Sequence, residues 1–273
     1  KIFNETKPEV LLLVSVLGLV PDMRKISDLC GKYDVILLED TCESMGSKYN
    51  GKKLGTFGLM SSFSTYFGHH ISTIEGGFVS TDDEELYEVL KSIRSHGWDR
   101  DASKEYSKQL RDKWKTSDFD SLYTFYHSGF NLRSTDLQAF IGLSQIDKLD
   151  SICEKRNENF KIYQKELAGI SPNIEEKGFT SNFAYPVIHE YRDAMVARLQ
   201  KENIEVRPMI CGSMGTQPFY VKKYGRKELP NVSQIDKYGF YIPNHPGLSK
   251  EEILKITNII KNTAAEKFVD PYL

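Results

Sequence analysis

The sequence has few cysteines, and they are not placed for a metal site. Its four cysteines, Cys30, Cys42, Cys153 and Cys211, are scattered without the spacing of metal ligands. This usage is typical of a cytoplasmic protein with reduced thiols, and we expect no metal.

Long apolar runs and an excess of one charge are also absent. No stretch has the length and apolar character of a transmembrane helix. Residues 11–14 are apolar, but the run is too short for a signal peptide and has no cleavage pattern. The net charge is -2 at pH 7, so we expect neither a nucleic-acid nor a membrane partner.

What remains is an ordinary globular composition. The 273 residues are 40% hydrophobic and 27% charged, which predicts a sizeable core and one or two domains.

The most informative stretch is residues 34–77, which holds two predicted strands. The apolar run 35–38 stops at Glu39 and Asp40, a pattern typical of a buried strand in a parallel sheet. Ligands of open α/β sheets bind at the carboxyl ends of strands, where Asp40 is expected to lie. The second run, 60–65, leads into His69 and His70 and then into a turn at 75–77.

The rest of the chain suggests a large domain over residues 1–145, followed by a linking helix and a small carboxyl-terminal domain over 146–273. A strand at 9–17 and a helix from Pro21, ended by Gly31, complete a βαβ unit with the strand at 35. Further predicted segments are a helix at 82–95, a charged surface excursion at 99–120, a long helix from about 137 to 167 with a kink, strands at 183–188, 204–207 and 238–242, and helices at 192–202 and 250–262.

Several motifs occur along the chain in an order that resembles a known family. A strand ending in Glu39-Asp40, then Ser62-Phe63-Ser64, a base, and Glu75-Gly76-Gly77 resembles the sugar aminotransferases of the DegT/DnrJ/StrS group. The resemblance implies an α/β protein of the pyridoxal-phosphate (PLP) fold type I, with a mostly parallel sheet in the large domain and a small α+β carboxyl-terminal domain. It also implies that the large domain of the family begins well before Lys1. A phosphate-cradling loop and an aromatic residue that stacks on the cofactor would belong to that earlier part.

The base is the point at which this chain departs from the aminotransferase pattern. The family's lysine, which holds PLP as a Schiff base, falls on His69 when it is counted without a gap from either flanking motif. Histidine can accept and donate a proton near neutral pH but cannot form that Schiff base. Histidine here resembles the sugar 3-dehydratase branch. This branch uses PLP and pyridoxamine phosphate, takes its amino group from glutamate, and removes the C3 hydroxyl of a nucleotide-linked 4-keto-6-deoxy sugar. His69 is therefore the expected catalytic residue, while His70 has no assigned role.

Four further positions match cofactor contacts of the family. Asp40 would keep the ring nitrogen protonated, as an electron sink requires. Glu43 would contact the ring hydroxyl or the neighbouring base, and Ser64 would bind the phosphate. Asn131 would reach the phosphate of the neighbouring subunit, which implies a homodimer with a shared active site.

Three more residues are candidate substrate contacts, namely His96, Arg133 and Arg207. Alternatives remain open: an aminotransferase-like enzyme, or a catalytically idle or regulatory homologue. An iron–sulfur 3-dehydrase is disfavoured, because residues 99–130 contain no cysteine to bind iron.

Overall fold

The computed structural model describes residues 1–266. Its strands are β1 (Val10–Val14), β2 (Ile36–Asp40), β3 (Lys48–Tyr49), β4 (Lys52–Lys53), β5 (Met60–Ser64), β6 (Gly77–Ser80), β7 (Gly178–Phe179), β8 (Ala184–Ile188), β9 (Arg207–Pro208) and β10 (Gly239–Pro243). Its helices are α1 (Ile2–Thr6), α2 (Met23–Tyr33), α3 (Glu84–Arg94), α4 (Lys104–Trp114), α5 (Asp136–Ile146), α6 (Leu149–Glu166), α7 (Arg192–Lys201), α8 (Pro218–Tyr224), α9 (Pro230–Tyr238) and α10 (Lys250–Ala265). None of the helices in this described part is long and apolar enough to cross a membrane.

The chain forms two compact units, which we call the first and the second unit. The first contains Lys1–Val14, Arg24–Cys42 and Gly55–Asp147. The second contains Ser15–Met23, Glu43–Leu54 and the described residues from Lys148 onward.

A four-stranded, mostly parallel sheet in the order β1-β2-β5-β6 organises the first unit. Strands β1, β2 and β5 run parallel, and β6 returns antiparallel to β5. The register places Val14 beside Asp40 and Asp40 beside Ser62. The predicted α/β class is confirmed, and the carboxyl ends of β2 and β5 lie side by side.

The prediction that β2 is a fully buried strand is wrong for one face of this sheet. Leu37 and Glu39 are buried, whereas Ile36 is 46% exposed. On the same face of β1, Val10, Leu12 and Val14 are 46 to 58% exposed. A short apolar run allows a strand to be buried on both faces. Whether both faces are covered depends on the neighbouring elements.

Helix α2 continues past the glycine that was expected to end it. Gly31 lies inside the helix, and a left-handed residue, Asp34, follows the last turn at φ 54°. The N–H of Val35 then donates to the carbonyl of Cys30 at 2.9 Å, as in a Schellman cap. The aspartate, rather than the glycine, therefore adopts the left-handed conformation that closes the helix.

Other segments differ from the sequence prediction in detail. The charged excursion contains α4, whose cap is the Ser103 hydroxyl accepting from the N–H of Tyr106 at 3.2 Å. The predicted long helix is two helices, α5 and α6, separated at residues 147–148. Residues 204–206 are not a strand, because β9 pairs with β10 only through Arg207 and Pro208.

The second unit packs α6, α7 and α10 with an antiparallel sheet in the order β8-β10-β9. Its core is one cluster of fully buried side chains, including Phe160, Tyr163, Leu199, Ile242 and Ile253. The helical stripe predicted for the last helix is confirmed, since Ile253, Ile256 and Ile260 all lie in this cluster.

Candidate active site

Asp40 is the last residue of β2, at the carboxyl end of the strands, where a ligand is expected. Its side chain is half-buried, and its Oδ1 accepts the N–H of Cys42 at 3.1 Å. The adjacent Thr41 closes on β5 through two hydrogen bonds to the Ser62 carbonyl, at 3.0 Å from its N–H and 2.7 Å from its hydroxyl. Asp40 thus sits on a rigid strand end, with a carboxylate oriented by the backbone that follows it.

Glu39, for which sequence reasoning gave no role, holds the loop beneath this strand end. Its side chain is 1% exposed. One oxygen accepts the N–H groups of Phe57 and Gly58 at 2.7 and 2.8 Å, and the other accepts that of Gly55 at 2.8 Å. The signal was available, because adjacent strand residues point to opposite faces and Glu39 therefore cannot share the site of Asp40.

His69 lies in a loop that joins β5 to β6 and is closed at its base. The hydroxyls of Thr65 and Thr73 are 2.6 Å apart, and the N–H of Thr73 donates to the Thr65 carbonyl at 2.8 Å. Gln138 of α5 donates to the carbonyl of Glu75 at 2.6 Å. These bonds fix the loop on both sides, so His69 is presented from a constrained segment.

Within this loop the two histidines occupy different surroundings. His69 is half-buried at a turn, where its N–H donates to the Tyr66 carbonyl at 2.9 Å, and His70 is 4% exposed. The segment is a turn and is not extended, so the two side chains do not differ in burial because of strand alternation. Ser64, at the end of β5, accepts the N–H of Tyr66 at 3.2 Å through its hydroxyl.

His96 and Asn131 are brought together by a close crossing of two backbone segments. A side chain at Gly97, whose φ is 87°, would place its Cβ 1.8 Å from the carbonyl oxygen of His127. Likewise, a Cβ at Gly129 would lie 2.2 Å from the N–H nitrogen of Gly97. The crossing lets His96 donate its N–H to the Phe130 carbonyl at 2.7 Å, beside the bridge between Ser95 and Asn131. Only glycine permits this approach at both positions.

Arg133 lies near the same crossing. Its guanidinium is 5.9 Å from the centroid of the Trp98 ring, and the His96 ring is 4.7 Å from that ring. Asn131 and Arg133 are both exposed. The structure therefore places three of the predicted site residues in one region of the first unit.

The remaining two predicted residues belong to the second unit. The Glu43 carboxylate accepts the N–H of Leu17 at 2.6 Å and is half-buried, so it stabilises a left-handed residue at φ 54°. Arg207 is exposed and forms an ion pair with Glu205. Their roles at a ligand stay predictions.

The groups at the carboxyl ends of β2 and β5 suit a pyridine cofactor that carries a phosphate. They comprise the Asp40 carboxylate, the Ser64 hydroxyl and the His69 imidazole. A carboxylate of this kind is the usual partner of the PLP ring nitrogen, and no lysine occurs between residues 60 and 80. The fold defines an α/β protein of the PLP-dependent transferase type, and the role of His69 at the expected lysine position stays a prediction.

Residues 1–261 match the DegT/DnrJ/EryC1/StrS aminotransferase family, and the chain belongs to this family. It is 36% identical over 266 residues to GDP-4-keto-6-deoxy-D-mannose 3-dehydratase of Yersinia pseudotuberculosis, covering 93% of this chain and 67% of that protein. The solved structure of the Escherichia coli enzyme of that name, with bound hydrated PLP, has a TM-score of 0.84 at 31% identity and covers 93% of this chain and 68% of its own. A mutant of a GDP-4-keto-6-deoxymannose-3-dehydratase with bound GDP-perosamine has a TM-score of 0.83 at 30% identity, with the same coverage.

Proposed function

We propose that this protein is a PLP- and pyridoxamine-phosphate-dependent 3-dehydratase that removes the C3 hydroxyl of a nucleotide-linked 4-keto-6-deoxy sugar. The observation that carries the proposal is His69, which stands in a constrained loop where the family has its lysine. The similar proteins named 3-dehydratases support the same assignment.

The cofactor, when bound, supplies an electron sink for cleavage of the bond at C3. Asp40 holds the proton on the ring nitrogen, which the electron sink requires. Ser64 binds the phosphate, and Asn131 reaches the phosphate of a second subunit. Glu43 lies three residues after Asp40 in the chain and contacts the ring hydroxyl or its surroundings.

His69 carries the proton transfers. With the cofactor bound, a neutral His69 imidazole would act as the base, and the imidazolium that results would donate its proton to the C3 hydroxyl of the sugar, which would leave as water. Because an imidazole forms no Schiff base, His69 would make no covalent link to the cofactor and would stay free for proton transfer. Dehydration with release of ammonia, rather than delivery of the amine to the sugar, is the outcome that we propose for this site.

The partners follow from the same proposal. Glutamate supplies the amino group, and the substrate contacts are His96, Arg133 and Arg207. A homodimer shares the active site through Asn131. Its support in the structure is the apolar surface of α5, where Leu137, Phe140 and Leu143 are 68 to 73% exposed. We place the enzyme in the cytoplasm, since its four cysteines all lie in the described part and form no disulfide there.

The test is the His69→Asn variant, assayed with PLP, glutamate and GDP-4-keto-6-deoxymannose. We expect the wild type to release ammonia and a 3-deoxy sugar, and the variant to lose this activity while it still shows the absorbance of bound cofactor. A His189→Asn variant, which changes a histidine of the second unit, serves as the control and is expected to stay active.

Three outcomes contradict the proposal in different ways. Dehydration that persists in His69→Asn shows that His69 is not the catalytic residue. An amino sugar as the wild-type product indicates an aminotransferase, as the family description suggests. Neither product and no cofactor absorbance indicate an idle or regulatory homologue.

A further inference from the structure

Six side chains of the first unit form a connected group that includes the indole ring of Trp98, and we call them the Trp98 cluster. They are His96, Trp98, Arg100, Tyr123, Phe125 and Arg133. Two of them, His96 and Arg133, are substrate contacts in the proposed function. The other four have no role so far.

The guanidinium of Arg100 lies over two aromatic rings. Its guanidinium carbon is 3.7 Å from the centroid of Trp98 and 5.0 Å from that of Tyr123. One of its terminal nitrogens also donates to the carbonyl of Leu122. A guanidinium can pack over aromatic rings in this way while the remaining N–H groups at its edge stay available.

Neither guanidinium of the cluster is neutralised by a carboxylate. Within the described residues, no Asp or Glu oxygen lies within 4.0 Å of Arg100 or Arg133, whereas Arg94 and Arg111 each have such a partner. Asp99, the neighbour of Arg100, points inward, since its side chain is 1% exposed and bonds Arg111 at 2.8 Å. Two positive charges on an exposed surface without an internal partner favour an anionic ligand.

The surroundings extend this site in two directions. The ring of Tyr123 is 75% exposed and that of Phe125 is 57% exposed, and such flat open faces suit stacking of a nucleobase. On another side, Arg100 lines a cavity of about 470 Å³ whose charged lining is mixed, since it holds Lys104, Lys108 and Arg111 together with Asp99, Asp112 and Asp118. The phosphates are therefore assigned to the two unneutralised arginines and not to this cavity. Aromatic faces beside cationic groups are the combination that a nucleotide requires.

We propose that the Trp98 cluster binds the nucleoside diphosphate portion of the substrate, with the base on Tyr123 and the phosphates on Arg100 and Arg133. This inference rests on the proposed function, because it assumes a nucleotide-linked sugar. It adds Arg100, Trp98 and Tyr123 to the residues that hold the substrate and predicts affinity for a nucleotide that carries no sugar.

The experiment titrates GDP and follows the fluorescence of Trp98. The chain has two tryptophans, so a Trp114→Phe background leaves Trp98 as the reporter. We expect GDP to change the emission of this protein. Tyr123→Ala should raise the Kd by at least about fivefold, as loss of a base–aromatic stack does. Arg100→Gln should raise it by about tenfold or more and should reduce its dependence on salt.

Two fragments of the ligand separate the contributions. Arg100→Gln should weaken the binding of pyrophosphate, and Tyr123→Ala should leave it unchanged. For guanosine, Tyr123→Ala should weaken binding and Arg100→Gln should not. Controls are Arg24→Gln and Tyr87→Ala, an exposed arginine and an exposed tyrosine of the first unit outside the cluster, which should leave the Kd unchanged.

The results that overturn the inference do not depend on the dehydratase activity. His69→Asn should bind GDP as the wild type does, whether or not the enzyme dehydrates a sugar. An absence of GDP binding in the wild type overturns the site, as does a Kd that is the same in all cluster variants. If Tyr123→Ala instead weakens only self-association in sedimentation, the exposed rings form a subunit interface and the inference is wrong.

Discussion

Replacing Glu39 by glutamine should destabilise the first unit and loosen the strand end that carries Asp40. The carboxylate accepts from three backbone N–H groups, those of Gly55, Phe57 and Gly58, at 2.7 to 2.8 Å. Glutamine has the same shape but only one acceptor oxygen. If that oxygen keeps the bonds to Phe57 and Gly58, the NH₂ group of the glutamine faces the N–H of Gly55. Both groups are donors, so no hydrogen bond forms there.

The magnitude follows from these bonds. A donor left without a partner at a site that is 1% exposed loses about 1–3 kcal/mol, and the two remaining bonds weaken because their acceptor is no longer charged. We expect a total loss of about 2–4 kcal/mol in the free energy of unfolding, which is a large part of the stability of an ordinary domain.

The assay combines urea unfolding with hydrogen exchange. The amides of Gly55, Phe57 and Gly58 should exchange faster in Glu39→Gln, and affinity for PLP should fall because Asp40 follows on the same strand. Glu5→Gln, which changes an exposed glutamate, should alter neither quantity. A loss below about 0.5 kcal/mol with unchanged exchange at the three amides would refute the reasoning, since such a change is within the range of ordinary surface substitutions.

Three further substitutions test other parts of the structure. Gly97→Ala should destabilise the chain by more than about 2 kcal/mol, because its Cβ would lie 1.8 Å from the His127 carbonyl oxygen; a soluble variant with unchanged urea midpoint contradicts the crossing. Tyr163→Phe should lower the free energy of unfolding by about 1–2 kcal/mol, since the fully buried hydroxyl donates to the Pro243 carbonyl at 2.8 Å; no loss means that this bond adds nothing. Burial raises the pKa of Tyr185 to about 12 from an ordinary 10.0, so the stability that its neutral form contributes is present below pH 10 and is lost as the pH rises through 12. The unfolding free energy should therefore fall less steeply over this range in Tyr185→Phe, and equal slopes contradict the assignment.

The sequence by itself determined several of the elements and indicated the chemistry expected of them. The apolar run before Asp40 marked a strand end, the spacing of Ile253, Ile256 and Ile260 marked the last helix, and the register of His69 between two motifs marked the family and its departure from lysine. These inferences are local, because side-chain periodicity and motif spacing depend only on neighbours along the chain. The roles of the site residues and the division at 145 and 146 stay predictions.

Only the tertiary structure decided which residues act together. Glu39 holds a loop that begins at Gly55, and the crossing at Gly97 and Gly129 brings His96 beside Asn131. The rings around Trp98 likewise come from both ends of the excursion that contains α4. Each arrangement joins segments far apart in sequence, and it depends on how closely two backbones approach and on which donors an acceptor can reach. Neither quantity is encoded in the periodicity of a single segment, which is why the sequence indicated the chemistry of the site and the fold was needed to assemble it.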